Sequence, residues 1–188
     1  MKLLLGSNSP RRNELLSQMG YQFTKVSIDC DEQFDVGMPT SEVAAYLAEK
    51  KSMTYAELKA DEVLITADTV VILNDKILNK PINREEAFEM LQSMSNSTHE
   101  VKTGVCIRDV HSKEVFTSTT EVEVKELSEE EISFYVDTYK PYDKAGAYGI
   151  QEWFGLVAVK GIKGCFYNVV GLPTSELFKR LNDNYDSF

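Results

Sequence analysis

MKLLLGSNSPRRNELL, residues 1–16, is the stretch on which the reading of this chain turns. Leu3, Leu4 and Leu5 are a short apolar run and read as a buried strand over 3–6. Gly6 to Ser9 is turn chemistry. Ser9 suits an N-cap, and Pro10 stands where proline is welcome, at the first helical position. Leu15, Leu16 and Met19 then follow helical spacing, and Gly20 stops a helix predicted over 10–19. A helix start with unpaired N–H groups and two hydroxyls, Ser7 and Ser9, favours anions. Arg11 and Arg12 oppose the positive end of that dipole, where acidic residues are usual. A local rule broken in this way marks a place to look for function. The plainer alternative, two solvated arginines beside a surface turn, fits the spacing equally well.

The chain has 188 residues, enough for about one domain with a real core. It is 43% hydrophobic and 27% charged, an ordinary globular composition. No apolar run approaches the length of a membrane span, and the N-terminal one is too short for a signal peptide. Cys30, Cys106 and Cys165 are odd in number and widely spaced, so free thiols in a reducing, cytoplasmic compartment are expected. Against 30 Asp+Glu stand 20 Lys+Arg, a net charge of −10. That balance argues against binding nucleic-acid backbone or an anionic membrane, yet leaves room for a local phosphate site. With only His99 and His111, a histidine-rich metal site is excluded; a metal here would take oxygen ligands, as Mg²⁺ or Mn²⁺ does.

Strands and helices alternate through the first part. A strand is predicted around 23–28, an acidic loop from Asp29 to Pro39, and a helix over about 41–58 with Val43, Ala44 and Leu47 on one face. VLITA, 63–67, reads as a fully buried strand; TVVILNDKIL reads as a hairpin turning at Asn74-Asp75. Asn83 with Glu86 is a capping-box pattern before Ala87, Leu91 and Met94. From 98 the period becomes two, with Val101, Thr103, Val105 and Ile107. A turn at His111-Ser112 leads to a further strand pair, and Val122, Val124 and Leu127 continue the alternation. Ser128 and Glu131 form a second capping box over Ile132, Tyr135, Val136 and Tyr139. Residues 140–155 read as a loop, 157–162 and 166–170 as strands, and a last helix starts near 173. The expected fold is a single α/β unit with a mixed central sheet flanked by helices, two lobes around a cleft.

Three more stretches carry chemistry. In ITADTVV, Asp68 follows a buried strand, a costly position unless it is paired, hydrated or metal-bound. Strand ends are where α/β sites are built, although a turn-capping aspartate fits as well. Glu32 could share a metal with Asp68, or be a solvated charge. In ILNKP, Pro81 holds Lys80 extended, and Lys51 lies on a helix; either alone reads as surface. DKAGAYGIQEWFG packs glycines and aromatics into what looks like a binding wall, and Gln151 offers the donor and acceptor needed to read an amide-like base edge.

Ser7-Asn8-Ser9-Pro10-Arg11-Arg12, Glu32, Lys51, Ala67-Asp68-Thr69, Lys80-Pro81, residues 143–151 and Val170-Gly171-Leu172-Pro173 occur in the order found in one family. Together they resemble the Maf-like nucleoside triphosphate pyrophosphatases over almost the whole chain. Arg11, Thr69 and Gln151 resemble the branch acting on dTTP and UTP. Asn8 and Glu152-Trp153-Phe154 depart from the family pattern, the latter replacing a more glycine-rich run. The resemblance implies one Maf/ITPase-like domain over 1–188 and hydrolysis of the α–β bond to a nucleoside monophosphate and pyrophosphate. It implies a divalent metal, Mg or Mn, on Glu32 and Asp68, with Asp68 as general base, directly or through the metal's hydration shell. It further implies Ser7, Ser9, Arg11, Arg12, Lys51, Thr69, Lys80 and Gln151 on the substrate, and it leaves room for a homodimer. Two other functions fit: a non-catalytic nucleotide-binding regulator of cell division, and a pyrophosphatase for another non-standard nucleotide.

Overall fold

A computed structural model describes residues 1–185 of the protein. The first half contains β1 (Lys2–Gly6), α1 (Pro10–Gln18), β2 (Phe23–Lys25), α2 (Thr40–Thr54), β3 (Glu62–Leu73), β4 (Lys76–Leu78) and α3 (Arg84–Met94). The second half contains β5 (Thr98–Arg108), β6 (Lys113–Val124), α4 (Glu129–Tyr139), a 3-10 turn at Ala145–Ala147, α5 (Trp153–Val157), β7 (Val159–Lys163), α6 (Phe166–Val170) and α7 (Thr174–Asn184). The described strands form one mixed sheet in the order β2-β1-β3-β5-β6-β7, with β4 paired to β3. The expected α/β class with a mixed sheet is the fold observed. The chain packs as two compact units: Met1–Asp68, Thr103–Ser118 and the segment from Gly171 on form one, Thr69–Lys102 and Thr119–Val170 the other.

In the first unit β1 runs parallel to both neighbours, Leu3 standing opposite Phe23 on β2 and Val63 on β3. A central parallel strand needs apolar residues on both faces, which is why three leucines in a row are all buried here. Leu15 and Leu16 of α1, and Val43, Ala44, Leu47 and Ala48 of α2, complete this core. Thr66 Oγ1 on β3 donates to Ala48 O at 2.7 Å, tying α2 to the sheet. On β5, a Cβ at Gly104 would lie 2.2 Å from Ala44 O, so the α2 backbone approaches the strand where only glycine fits.

The second unit opens with the hairpin. Leu73 pairs Lys76, and Asn74 and Asp75 take φ of 50° and 59°, the paired left-handed turn that asparagine and aspartate accept. Asn83 Oδ1 caps α3 by accepting from Glu86 N–H at 2.8 Å, but Glu86 reaches back to Ile82 N–H instead of closing a reciprocal box. At α4 the box is complete between Ser128 and Glu131. β7 lies antiparallel to β6, Ile162 opposite Val122.

Six parts of the chain differ from the sequence expectation. β2 ends at Lys25. α2 stops at Thr54, beyond which Tyr55 is extended, and Arg108 Nη2 caps this end by donating to Ser52 O and Tyr55 O, both at 2.6 Å. β3 does not end at Ala67 but runs to Leu73, so Asp68 lies within a strand; β1 stops pairing at Gly6–Thr66, and Asp68 stands just beyond its end. The stretch after His111-Ser112 is one strand, β6. Residues 166–170 are helical: aromatic and β-branched types suggest strand, yet Asn168 turns inward and donates to Val101 O and Thr120 Oγ1, each at 3.0 Å. Likewise the loop expected over 140–155 contains the 3-10 turn and the start of α5, which delays β7 to Val159.

His99, on β5 in the second unit, is 1% exposed and its Nε2 lies 2.7 Å from Tyr148 OH. Burial pulls its pKa down from 6.5 to about 4. Between those values the unfolded chain binds a proton that the folded chain refuses, so stability rises with pH across that window. The contribution is complete above about pH 6.5 and is lost as pH falls to about 4, amounting to about 3 kcal/mol. Urea titrations at pH 7, 5 and 4 should therefore show wild type losing more stability on acidification than His99→Gln. Parallel pH profiles for the two proteins would contradict this.

Candidate functional site

The site is assembled where β1 and its pairing on β3 end. A Cβ on Gly6 would come 2.4 Å from Ile28 Cδ1, so the chain turns out of the strand without a side chain. Ser7 and Ser9 follow in the loop. Ser9 N–H donates to Ser7 Oγ at 3.2 Å, and Ser9 Oγ accepts from Arg12 N–H at 3.4 Å, the expected N-cap of α1. In these bonds each serine oxygen accepts, which leaves its O–H as the donor it can offer an anion.

Arg12 turns back across this loop. Its Nε donates to Gly171 O and its Nη1 to Ala67 O, each at 2.8 Å, with Ser7 Oγ at 3.4 Å from Nη1. Burial pushes the guanidinium pKa down, the charges of Asp68 and Glu32 push it up, and that of Arg11 pushes it down. Gly171, part of the motif before α7, has φ 128°, a conformation open to glycine, and its carbonyl is what Arg12 holds. Nothing in the sequence pattern pointed to that carbonyl.

Lys51, in the last turn of α2, joins the two candidate carboxylates. Its Nζ is 2.5 Å from Asp68 Oδ1 and 2.7 Å from Glu32 Oε1. The Lys51 and Asp68 side chains are 14% and 12% exposed, whereas Glu32 is 53% exposed, so the pair is sheltered and the third member faces solvent. The α2–β3 tie through Thr66 and the Arg108 cap at the end of α2 fix where Lys51 emerges. Ser7, Ser9, Arg12, Glu32, Lys51 and Asp68 are thus gathered in the first unit, with Arg11 half-buried in the first turn of α1. Thr69, Lys80 and Gln151 belong to the second unit: Thr69 is half-buried on β3, Lys80 is exposed after β4, and Gln151 is exposed in the turn before α5.

Among the described residues no group of three or more His, Cys, Asp and Glu converges to hold a metal. Glu32 and Asp68, both reached by Lys51, offer two hard oxygen donors on one side of the site. Mg²⁺ commonly takes one or two carboxylates and completes its shell with phosphate oxygens and water. The donor set fits.

The mixed sheet thus carries hydroxyls, a guanidinium and a carboxylate–ammonium cluster where its parallel strands end, the place where α/β folds build ligand sites. The chain is a member of the Maf-like protein family, whose model matches residues 2–184. A dTTP/UTP pyrophosphatase of Bacteroides thetaiotaomicron is 46% identical over 182 residues, 96% of this chain and 94% of that protein. One of Flavobacterium johnsoniae is 44% identical over 181 residues, 96% and 93% of the two chains. The solved structure of a HAM1 protein from Coxiella burnetii has the same fold at a TM-score of 0.53 and 12% identity, over 97% of this chain and 99% of that one.

Replacing Arg12 leaves two buried carbonyls without their donor, a loss of about 1–3 kcal/mol. Arg12→Lys should recover little of it, because one ammonium cannot reproduce the planar fork between Ala67 O and Gly171 O. Denaturant unfolding of Arg12→Ala and Arg12→Lys checks both statements; a lysine variant as stable as wild type would refute the second.

Proposed function

We propose that this protein is a nucleoside triphosphate pyrophosphatase, acting on dTTP and UTP to give the nucleoside monophosphate and pyrophosphate. The observation that carries the reading is Lys51 held between Glu32 and Asp68 in the same unit as Arg12 and the two loop serines. The names of relatives that are 42–46% identical support it. So does the continuity of the family match over 2–184, consistent with one catalytic domain.

In this reading Ser7 and Ser9 donate hydroxyl hydrogens to phosphate oxygens at the start of α1. Arg11, Arg12 and Lys51 neutralise the triphosphate in a chain that is otherwise acidic. Water attacks the α-phosphorus, Asp68 takes its proton, and the bond from that phosphorus to the α–β bridging oxygen breaks. Pyrophosphate leaves with the bridging oxygen. Lys51 orients the Asp68 carboxylate for this transfer. Glu32 and Asp68 would hold a divalent cation, which when bound supplies neutralisation of charge on the phosphates. Thr69, Lys80 and Gln151 are assigned to the substrate on the resemblance: Lys80 to phosphate, Thr69 and Gln151 to the base. A planar glutamine amide can accept from N3–H and donate to O4 of uracil or thymine, a pattern that cytosine reverses. The free cysteines and the acidic surface support a cytoplasmic location; among the described residues no helix is long and apolar enough to cross a membrane.

Two results test the proposal. Pyrophosphate release from dTTP and UTP with Mg²⁺ or Mn²⁺ should fall about 10²–10⁴-fold in Asp68→Asn while the protein stays folded. Near-wild-type kcat in that variant would remove Asp68 as the base. On a panel of triphosphates, UTP and dTTP should exceed CTP in kcat/KM, and Gln151→Ala should narrow the difference. Equal turnover of CTP by wild type would defeat the base assignment.

A further inference from the structure

The turn that carries Gln151 is closed by Glu152 N–H donating to Gly149 O at 3.1 Å, with Ile150 and Gln151 between. Ile150 is buried and Gln151 is exposed, so the turn is anchored on one side and presents the amide on the other. Both ends of the turn converge on a single hydroxyl. Tyr135 OH accepts from Gly149 N–H at 2.9 Å and donates to Glu152 Oε2. The other carboxylate oxygen, Oε1, is 3.1 Å from Lys144 Nζ, which also contacts Asp143 Oδ1 at 2.7 Å. Lys144 is 8% exposed and Tyr135 is fully buried, so the donor side of the network is sheltered, while the Glu152 side chain is 26% exposed and Asp143 faces solvent.

Two further observations show how closely the chain is fitted to this carboxylate. A Cβ on Gly149 would stand 2.7 Å from Glu152 Cδ, so any side chain there would push the carboxylate out of its present place. The next two residues, Trp153 and Phe154, both pack on the Tyr135 ring, with centroids 6.2 and 5.5 Å away; Tyr139 stacks on it at 5.0 Å. Burial and the Glu152 bond both push the Tyr135 pKa upward, keeping the hydroxyl protonated as the donor. The Glu152-Trp153-Phe154 run that departs from the family pattern is therefore the carboxylate and part of the aromatic shell of one cluster.

We propose that Glu152 is a positioning residue for base recognition: through Tyr135 and Lys144 it locks the turn 149–152 and thereby fixes the place from which Gln151 addresses the pyrimidine. The inference rests on the reading of Gln151 as the base-contacting residue. A planar contact discriminates between bases only while its backbone is held, because a mobile amide can settle on either edge. An apolar residue at 152 could pack, but it would leave Lys144 and the Tyr135 hydroxyl without their shared acceptor.

The test uses Glu152→Gln, with Tyr135→Phe as the second variant; whichever keeps the wild-type far-UV spectrum and melting temperature decides. Steady-state kinetics on UTP and CTP should show the UTP preference in kcat/KM falling on the order of 10-fold, mainly through a higher KM for UTP. Calorimetric affinity for inorganic tripolyphosphate, which has no base, should stay unchanged. A general packing defect would weaken both together and overturn the proposal, as would a folded variant that keeps the full UTP preference. Wild type lacking any UTP preference would instead remove the Gln151 reading, and this inference with it.

Discussion

Two hydrogen bonds from one half-buried guanidinium set the geometry of the first unit. Arg12 Nε and Nη1 hold Gly171 O and Ala67 O, carbonyls 159 and 55 residues away in the chain. Charge-assisted bonds of this kind are stronger and more directional than neutral ones. They bring the loop after β1, the β3 backbone just before Asp68, and the approach to α7 to a common point. An arginine in the first turn of a helix is out of place by local rules, and the three-way tie is the compensation. Its position also sets the electrostatics, since Asp68 and Glu32 raise its pKa while burial lowers it.

Where local chemistry decides the structure, the sequence is legible. The leucine run, the Ser9-Pro10 helix start, the Asn74-Asp75 turn and the Ser128–Glu131 box all form from residues that are neighbours in the chain. It is not legible where a distant partner decides. Arg108, on β5, caps the end of α2. Val101 and Thr120 receive Asn168 and allow a helix where residue types indicate a strand. The candidate site divides in the same way. Ser7, Ser9 and Arg12 could be read from the turn itself. Lys51 and Glu32 are unremarkable by composition and spacing; the family resemblance singled them out, and their meeting at Asp68 emerges only in the folded chain. The Tyr135 hydroxyl left no trace, since a tyrosine on the inner face of α4 reads as core.

The two units solve a similar problem with opposite chemistry. In the first, a permanent cation donates to carbonyls, and its geometry is set by a rigid fork. In the second, a neutral hydroxyl accepts from a backbone N–H and donates to a carboxylate, so the direction of each bond depends on the other. Both arrangements hold backbone next to a candidate site residue, the strand before Asp68 in one case and the turn around Gln151 in the other.

Gly104 has no functional group, yet the spacing between α2 and β5 depends on its hydrogen. Lys51 is carried by that same helix, seven residues beyond Ala44, against which any Cβ at 104 would press. Evolutionary drift at this strand position is therefore coupled to the placement of Lys51. A methyl group introduced there would lift the helix and separate the ammonium from its carboxylates, so an inactivating lesion could arise in the middle of the sheet with every reactive side chain still in place.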